Sequence, residues 1–295
     1  MQFTKAVRKK AKLRLALTGP SGSGKTYGAL MIAQGLGGKI AVIDTEHGSA
    51  SLYSNLCQFD TLELTAPYSP ERYIQAIKAA EAAGYDTLII DSTTHEWSGS
   101  GGCLEINETT AQAKFRGNTW SAWNDTTPRH RKFIDAMLQS SMHIIATGRS
   151  KTETSQEDAG NGKKKVVKLG MKTEQRDGFE YEFTVVLDLV HDGHHAIASK
   201  DRTRLFANEP FTISEKTGHR LAEWLESGAE VAAPWYENLL LALESCETRD
   251  ELGDAWEAAK KAANERGDKP AYDAMKAAME ASAAAIKEAM DAPHP

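Results

Sequence analysis

From residue 12 to about residue 150, short apolar runs alternate with stretches in which apolar residues recur every third or fourth position. The runs at 13–17, 39–45, 86–91 and 142–147 predict strands, because a strand covered on both faces reads as nearly continuous Val, Ile and Leu. The stretches at 27–33 and 72–83, and a third from Pro128 to about Gln139, predict helices. Ser69-Pro70-Glu71 opens the second of these with a cap residue, a proline suited to the first turn and an acid at the positive helix end. This alternation predicts an α/β fold, a mostly parallel sheet with helices on both faces.

Further along, 181–190 and 196–200 predict a hairpin around Asp192-Gly193, and 220–227 a helix that closes the core. A linker is expected at 228–233. Beyond it the pattern becomes wholly helical, at 234–244, from the capping box Thr248-Arg249-Asp250-Glu251 to about Glu265, and at 270–290. Two domains are therefore expected, 1–228 and a small helical bundle at 229–295. Segments 152–168 and 291–295 have the composition of loop and tail.

Charge sharpens that division. The formal net charge is -6, and from Ala229 onward there are 14 acidic and 7 basic residues, so the helical tail holds -7 and the remainder +1. An acidic tail is unsuited to nucleic acid, and its apolar stripe of Trp235, Leu239, Leu240, Leu243, Leu252 and Trp256 suits a packed bundle or a protein partner. The basic residues Lys5, Arg8, Lys9, Lys10, Lys12 and Arg14 form an acid-free N-terminal run suited to phosphates or to a solvated face. No apolar run is long enough to cross a bilayer, which predicts a cytoplasmic chain with no membrane partner. Cys57, Cys103 and Cys246 lack any paired spacing, so ordinary reduced thiols are expected.

Candidate chemistry begins at the first strand–helix junction. Gly19-Pro20-Ser21-Gly22-Ser23-Gly24-Lys25-Thr26, followed by Tyr27, is a complete phosphate-binding loop in its required context. Its glycines allow backbone amides to turn toward phosphates, Lys25 reaches the β- and γ-phosphates, and the Thr26 hydroxyl ligates Mg2+. ATP and Mg2+ are the implied cofactors. Hydrolysis needs two further acids. Asp91, at the end of a predicted strand, is expected to hold the magnesium through water, and Glu46, after the preceding strand, to activate the attacking water; Glu96 competes for that role.

The order of phosphate loop, Ile43-Asp44-Thr45-Glu46-His47 and Leu88-Ile89-Ile90-Asp91-Ser92 resembles the ATPase core of RecA-type recombinases. Lys200-Asp201-Arg202 is similar to the K-x-R segment of RadA and DnaB-type helicases. That resemblance implies a RecA-like P-loop core in a homo-oligomer, ring or filament, with Lys200 and Arg202 reaching a neighbour's γ-phosphate. Gly19 through Lys151, with Gly48–Tyr53 and His95–Gly102, resembles phage-encoded RecA-like ATPases of the Sak-type single-strand-annealing class. This implies a host-cytoplasmic protein that binds single-stranded DNA and promotes annealing or recombination. A glutamine sensor of the RecA type is replaced here by Thr147-Gly148-Arg149, which implies either that Arg149 itself senses the γ-phosphate or that the switch works differently.

In RecA-type folds the loop after the sensor strand touches DNA, which makes 150–168, with Lys163, Lys164 and Lys165, the implied DNA contact. Phe115, Arg116, Trp120 and Trp123 offer base stacking, although a three-residue spacing equally fits a buried helix face, the reading favoured. His191, His194 and His195 flank a hairpin turn and are expected on the surface rather than around a metal. The rival readings are a ring-forming replication motor or helicase loader, a nucleotide-switched adaptor and a small-molecule kinase.

Overall fold

Leu13, Leu15 and Leu17 point to one side of the first strand and Ala16 to the other, and this alternation builds two cores against one sheet. In the computed structural model, which describes residues 5–158, 164–206, 209–229 and 235–291, contacts divide the chain into units 1–229 and 230–295. Strand β1 (Arg14–Gly19) is buried throughout. It lies between β5 (His143–Asp158) and β7 (Val185–Leu189), parallel to both. Beyond β5 follow β4 (Thr87–Asp91), β2 (Ile40–Asp44) and β3 (Asp60–Glu63), also parallel. Beyond β7, the antiparallel strands β8 (His195–Asp201) and β9 (Phe211–Thr212) complete the edge.

Helices α1 (Lys25–Leu36) and α6 (Glu215–Glu226) cover one face. They cross at Gly35 and Gly218, where a Cβ on either would fall within 2.8 Å of the other's Cα. Helices α2 (Pro70–Ala82) and α5 (Thr119–Gln139) cover the other face through Tyr73, Ile77, Phe133 and Met137. Between them in sequence, α3 (Thr94–Ser98) and α4 (Cys103–Lys114) follow β4.

The second unit comprises α7 (Glu237–Glu244), α8 (Arg249–Arg266) and α9 (Lys269–Asp291). Its core includes Leu243, Leu252, Ala263, Met275 and Ile286. Thr248 and Glu251 make the reciprocal bonds of a capping box, and Gly267, with φ 61°, ends α8.

Several expectations need correction. Pro128 does not start a helix: α5 begins nine residues earlier, where the Asn118 side chain accepts the Ser121 amide, and Pro128 lies inside it. Buried Ala122, Thr126, His130, Phe133 and Met137 give that helix one continuous inner face. Most of the expected loop at 150–168 is strand, since β5 pairs antiparallel with β6 (Lys164–Thr173). Lys163 lies outside the described residues; Lys164 and Lys165 take register positions opposite Asp158 and Glu157. Much of the basic N-terminal run serves the fold. Arg8 stacks 4.6 Å from the Trp224 ring, Lys10 pairs with Glu226 at 3.0 Å, and buried Arg14 donates to the carbonyls of Leu138, Ser140 and Met142 at the end of α5.

The same corner makes stability depend on pH. The His143 ring accepts the Leu13 amide through Nδ1 at 3.0 Å, which requires a neutral ring. Burial, reinforced by Lys12 and Arg14, pushes its pKa down from 6.5 to about 4. Between those values the unfolded chain binds the proton that the folded chain refuses, so this contribution is whole above pH 6.5 and shrinks as pH falls toward 4. Denaturant midpoints are expected to fall from pH 7.5 to pH 5 in the wild type, and less steeply in His143→Asn. Equal slopes would show that His143 does not set the dependence.

Candidate functional site

Strands β1, β2, β4 and β5 run parallel, so their carboxyl ends share one edge of the sheet, the edge at which open α/β sheets bind ligands. Leaving β1, the chain turns into α1 through Gly22, with φ 74°, and Gly24, with φ 89°, conformations that a Cβ would strain. Lys25 is buried, and its Nζ donates to the carbonyls of Gly19 at 3.1 Å and Pro20 at 2.8 Å. It makes no ion pair among the described residues. Burial pushes its pKa below the ordinary lysine value; Asp91 and Glu46 oppose that shift and Arg149 adds to it. The Ser23 hydroxyl is buried without a hydrogen-bond partner among the described residues.

Thr26 Oγ1 donates to Asp91 Oδ2 at 2.6 Å, and Thr147 Oγ1 donates to Asp91 Oδ1 at 2.5 Å. Burial raises the Asp91 carboxyl above its usual range, and these two hydroxyls act against the rise. The first turn of α1 and strands β4 and β5 thus meet on one carboxylate.

Glu46 is held from below. Asp44 accepts the amides of Glu46 at 2.6 Å and Ala50 at 2.9 Å, which fixes the turn after β2. The Glu46 carboxylate in turn accepts Arg149 Nη2 at 2.8 Å and Nε at 3.1 Å, while the Arg149 amide donates to Thr94 Oγ1 at 2.9 Å. The Glu46 side chain is 28% exposed. Glu96 is placed differently. Fully buried, it accepts the Cys103 thiol at 3.1 Å and Gln175 Nε2 at 3.3 Å, and meets His130 Nδ1 at 3.1 Å. Such a carboxylate has no exposed route to water. The ligand-type atoms of Glu96, Cys103 and His130 lie within 4.8 Å of one another, a cluster the sequence did not reveal because each comes from a different helix.

Two histidines expected only on the surface also border the phosphate loop. The turn between β7 and β8 places the ring of His191 3.4 Å, and that of His194 3.6 Å, from where a Cβ on Gly22 and Gly24 would stand. The signal was indirect: β7 runs parallel to β1, so the turn after β7 emerges at the loop's own edge. A pocket of about 350 Å³ adjoins, lined by Gly24, Tyr27, Tyr53, His194 and Ile213, with the two tyrosine rings edge to face at 6.4 Å.

Lys200 and Arg202 do not join this cluster. Strand β8 runs antiparallel to β7, so Lys200 stands opposite Val186, which is in register with Ala16, and Arg202 lies beyond at Thr184. Lys200 Nζ donates to the carbonyls of Glu180 and Tyr181. Arg202 is exposed and makes no ion pair among the described residues. The Arg202 amide donates to the Thr184 carbonyl and the Thr184 amide to the Arg14 carbonyl, so the Arg202 backbone lies level with the start of β1 rather than with the phosphate loop.

No helix among the described residues is long and apolar enough to cross a membrane. No curated protein matches the chain. Residues 11–224 match the AAA domain family, a span that holds the phosphate loop, Glu46, Asp91, Arg149 and the whole parallel sheet. With the loop, its lysine and the Thr26–Asp91 pair assembled at the end of that sheet, the chain belongs to the AAA domain family, whose fold is that of a P-loop ATPase.

Proposed function

We propose that this protein is a RecA-like, magnesium-dependent ATPase that assembles with copies of itself, binds single-stranded DNA and promotes annealing or recombination in phage DNA metabolism. The convergence of Lys25, the Thr26–Asp91 pair and the Glu46–Arg149 pair on one sheet edge carries the hydrolytic part of that reading. The donor set fits a nucleoside triphosphate: a buried cation and a buried Ser23 hydroxyl, neither with a side-chain partner among the described residues, and amides at the positive end of α1. Thr26 and Asp91 supply the hard oxygen ligands that magnesium takes, and magnesium supplies charge neutralisation on the phosphates when bound.

In this scheme Lys25 binds the phosphates, Glu46 orients the attacking water and takes its proton, and Arg149 controls whether the Glu46 carboxylate is free to do so. The Tyr27–Tyr53 pocket suits the adenine ring, an apolar slot directly beside the loop. Lys200 and Arg202 serve a neighbouring copy, a role supported for Arg202 by a backbone position level with the start of β1, away from the loop of its own chain. Lys163, Lys164 and Lys165 remain part of the proposed DNA contact through their charge.

Steady-state ATP hydrolysis with and without single-stranded DNA, across protein concentrations, tests this reading. Stimulation by DNA and a rate that rises more steeply than protein concentration are expected. Turnover indifferent to DNA and strictly linear in protein would favour a monomeric switch or kinase. Directional movement along DNA would favour a replication motor.

A further inference from the structure

Beside α3, on the outer side of α5, lies a surface cavity of about 550 Å³ whose wall includes Trp97, Trp120, Trp123, Pro128, Arg131 and Arg176. Trp97 and Trp123 are stacked, with ring centroids 5.5 Å apart and planes 15° from parallel, and the Arg176 guanidinium lies 5.3 Å from the Trp123 centroid. Trp120 is 85% exposed and contacts no other aromatic ring among the described residues. An indole so exposed leaves a large apolar surface in water, and its sequence explanation, a buried helix face, fails at this position.

The charge of the cavity selects its occupant. Arg131 is exposed, and neither it nor Arg176 has an acidic partner among the described residues. Arg176 is anchored instead to Thr127 Oγ1 at 2.9 Å. Flat aromatic faces interleaved with unpaired guanidiniums are complementary to bases on a phosphate backbone, and stacking tolerates any base. Arg176 lines a second groove, of about 990 Å³, which reaches Gly19 and Pro20.

We propose that the Trp97–Trp120–Trp123 cavity is a base-stacking site for single-stranded DNA, with Arg131 and Arg176 on the phosphates. The proposal rests on the DNA-binding reading given above, and it adds a second contact site to the one proposed at Lys163, Lys164 and Lys165. Trp97 also meets the His130 ring edge-on, and His130 meets Glu96, so the floor of the cavity continues into the buried cluster behind Asp91's strand. A bound base would thus rest on the element that follows Asp91.

Binding of the full-length protein to a labelled oligothymidylate, followed by anisotropy at several salt concentrations, tests the site. Trp120→Ala is expected to weaken binding about 5- to 100-fold with an unchanged salt slope, because stacking releases no counterions. Arg131→Ala should lower that slope by about one, since each neutralised phosphate contributes about 0.7 to 0.9. Trp120→Phe should keep most of the affinity. Trp120 is a surface residue outside the nucleotide site, so DNA-free ATP hydrolysis should stay at the wild-type rate. Wild-type affinity in Trp120→Ala, with the wild type binding normally, would overturn the stacking site and leave the DNA reading standing, with a protein partner then the better occupant. Failure of the wild type itself to bind the oligomer would overturn both.

Discussion

Replacing Glu46 by Gln is expected to slow ATP turnover by about 10²- to 10⁴-fold, the contribution of a positioned general base, while ATP affinity changes little. Gln keeps the size of the side chain and can still accept from Arg149, but it cannot take a proton. The Asp44 bonds to the amides of Glu46 and Ala50 use the backbone and survive the change, so the turn keeps its place. In the proposed scheme binding depends instead on Lys25, Thr26 and the loop amides, and Glu46 makes its side-chain hydrogen bonds to Arg149. Measured together, a fluorescent nucleotide titration and a phosphate-release assay separate the two effects. Loss of binding along with turnover would mean that Glu46 acts on the structure of the loop, and near-normal turnover would remove it as the base.

Glu96→Gln provides the contrast. The Glu96 carboxylate accepts from three donors with no exposed surface, so the amide leaves at least one of those donors unmatched. Its expected effect is on stability, seen as a lower unfolding midpoint, rather than on the chemical step.

The parallel sheet was legible because β1, β2, β4 and residues 144–147 of β5 are buried on both faces, and such strands write themselves as continuous apolar runs. β3 was not, because all four of its residues are exposed and carry no such pattern. The start of α5 was hidden by Pro128, whose local preference for a helix start was outweighed by a buried face extending back to Ala122. At the site, motif and strand end named residue types but not their pairing. Glu46 and Arg149 are 103 positions apart and meet only because β2 and β5 flank β4. His191 and His194 were hidden for a similar reason: their place beside the phosphate loop follows from β7 lying next to β1, which no local pattern states.

Strand order also decides how Arg202 can act. Because β8 runs back along β7, the chain carries Arg202 away from its own phosphate loop, toward the end of the sheet where β1 begins. An arginine supplied to phosphoryl transfer from another copy neutralises charge that develops only in the transition state, and such residues are worth about 10³- to 10⁵-fold in turnover. Arg202→Ala is therefore expected to lose activity on that scale while still binding ATP, since it adds nothing to its own loop. Lys25→Ala should be inactive for the opposite reason: it lacks its own phosphate contact but still presents Arg202 to a neighbour. Mixed in equal amounts, the two inactive variants should regain about a quarter of the wild-type rate, because a quarter of randomly formed head-to-tail contacts join an intact loop to an intact arginine. Exposed Arg202 has no ion pair to lose among the described residues, so its variant should unfold at the wild-type midpoint. A mixture that stays inactive, with both variants folded and binding each other, would show that Arg202 does not act across an interface. Full wild-type turnover by Arg202→Ala alone would show that phosphoryl transfer here needs no arginine from this strand.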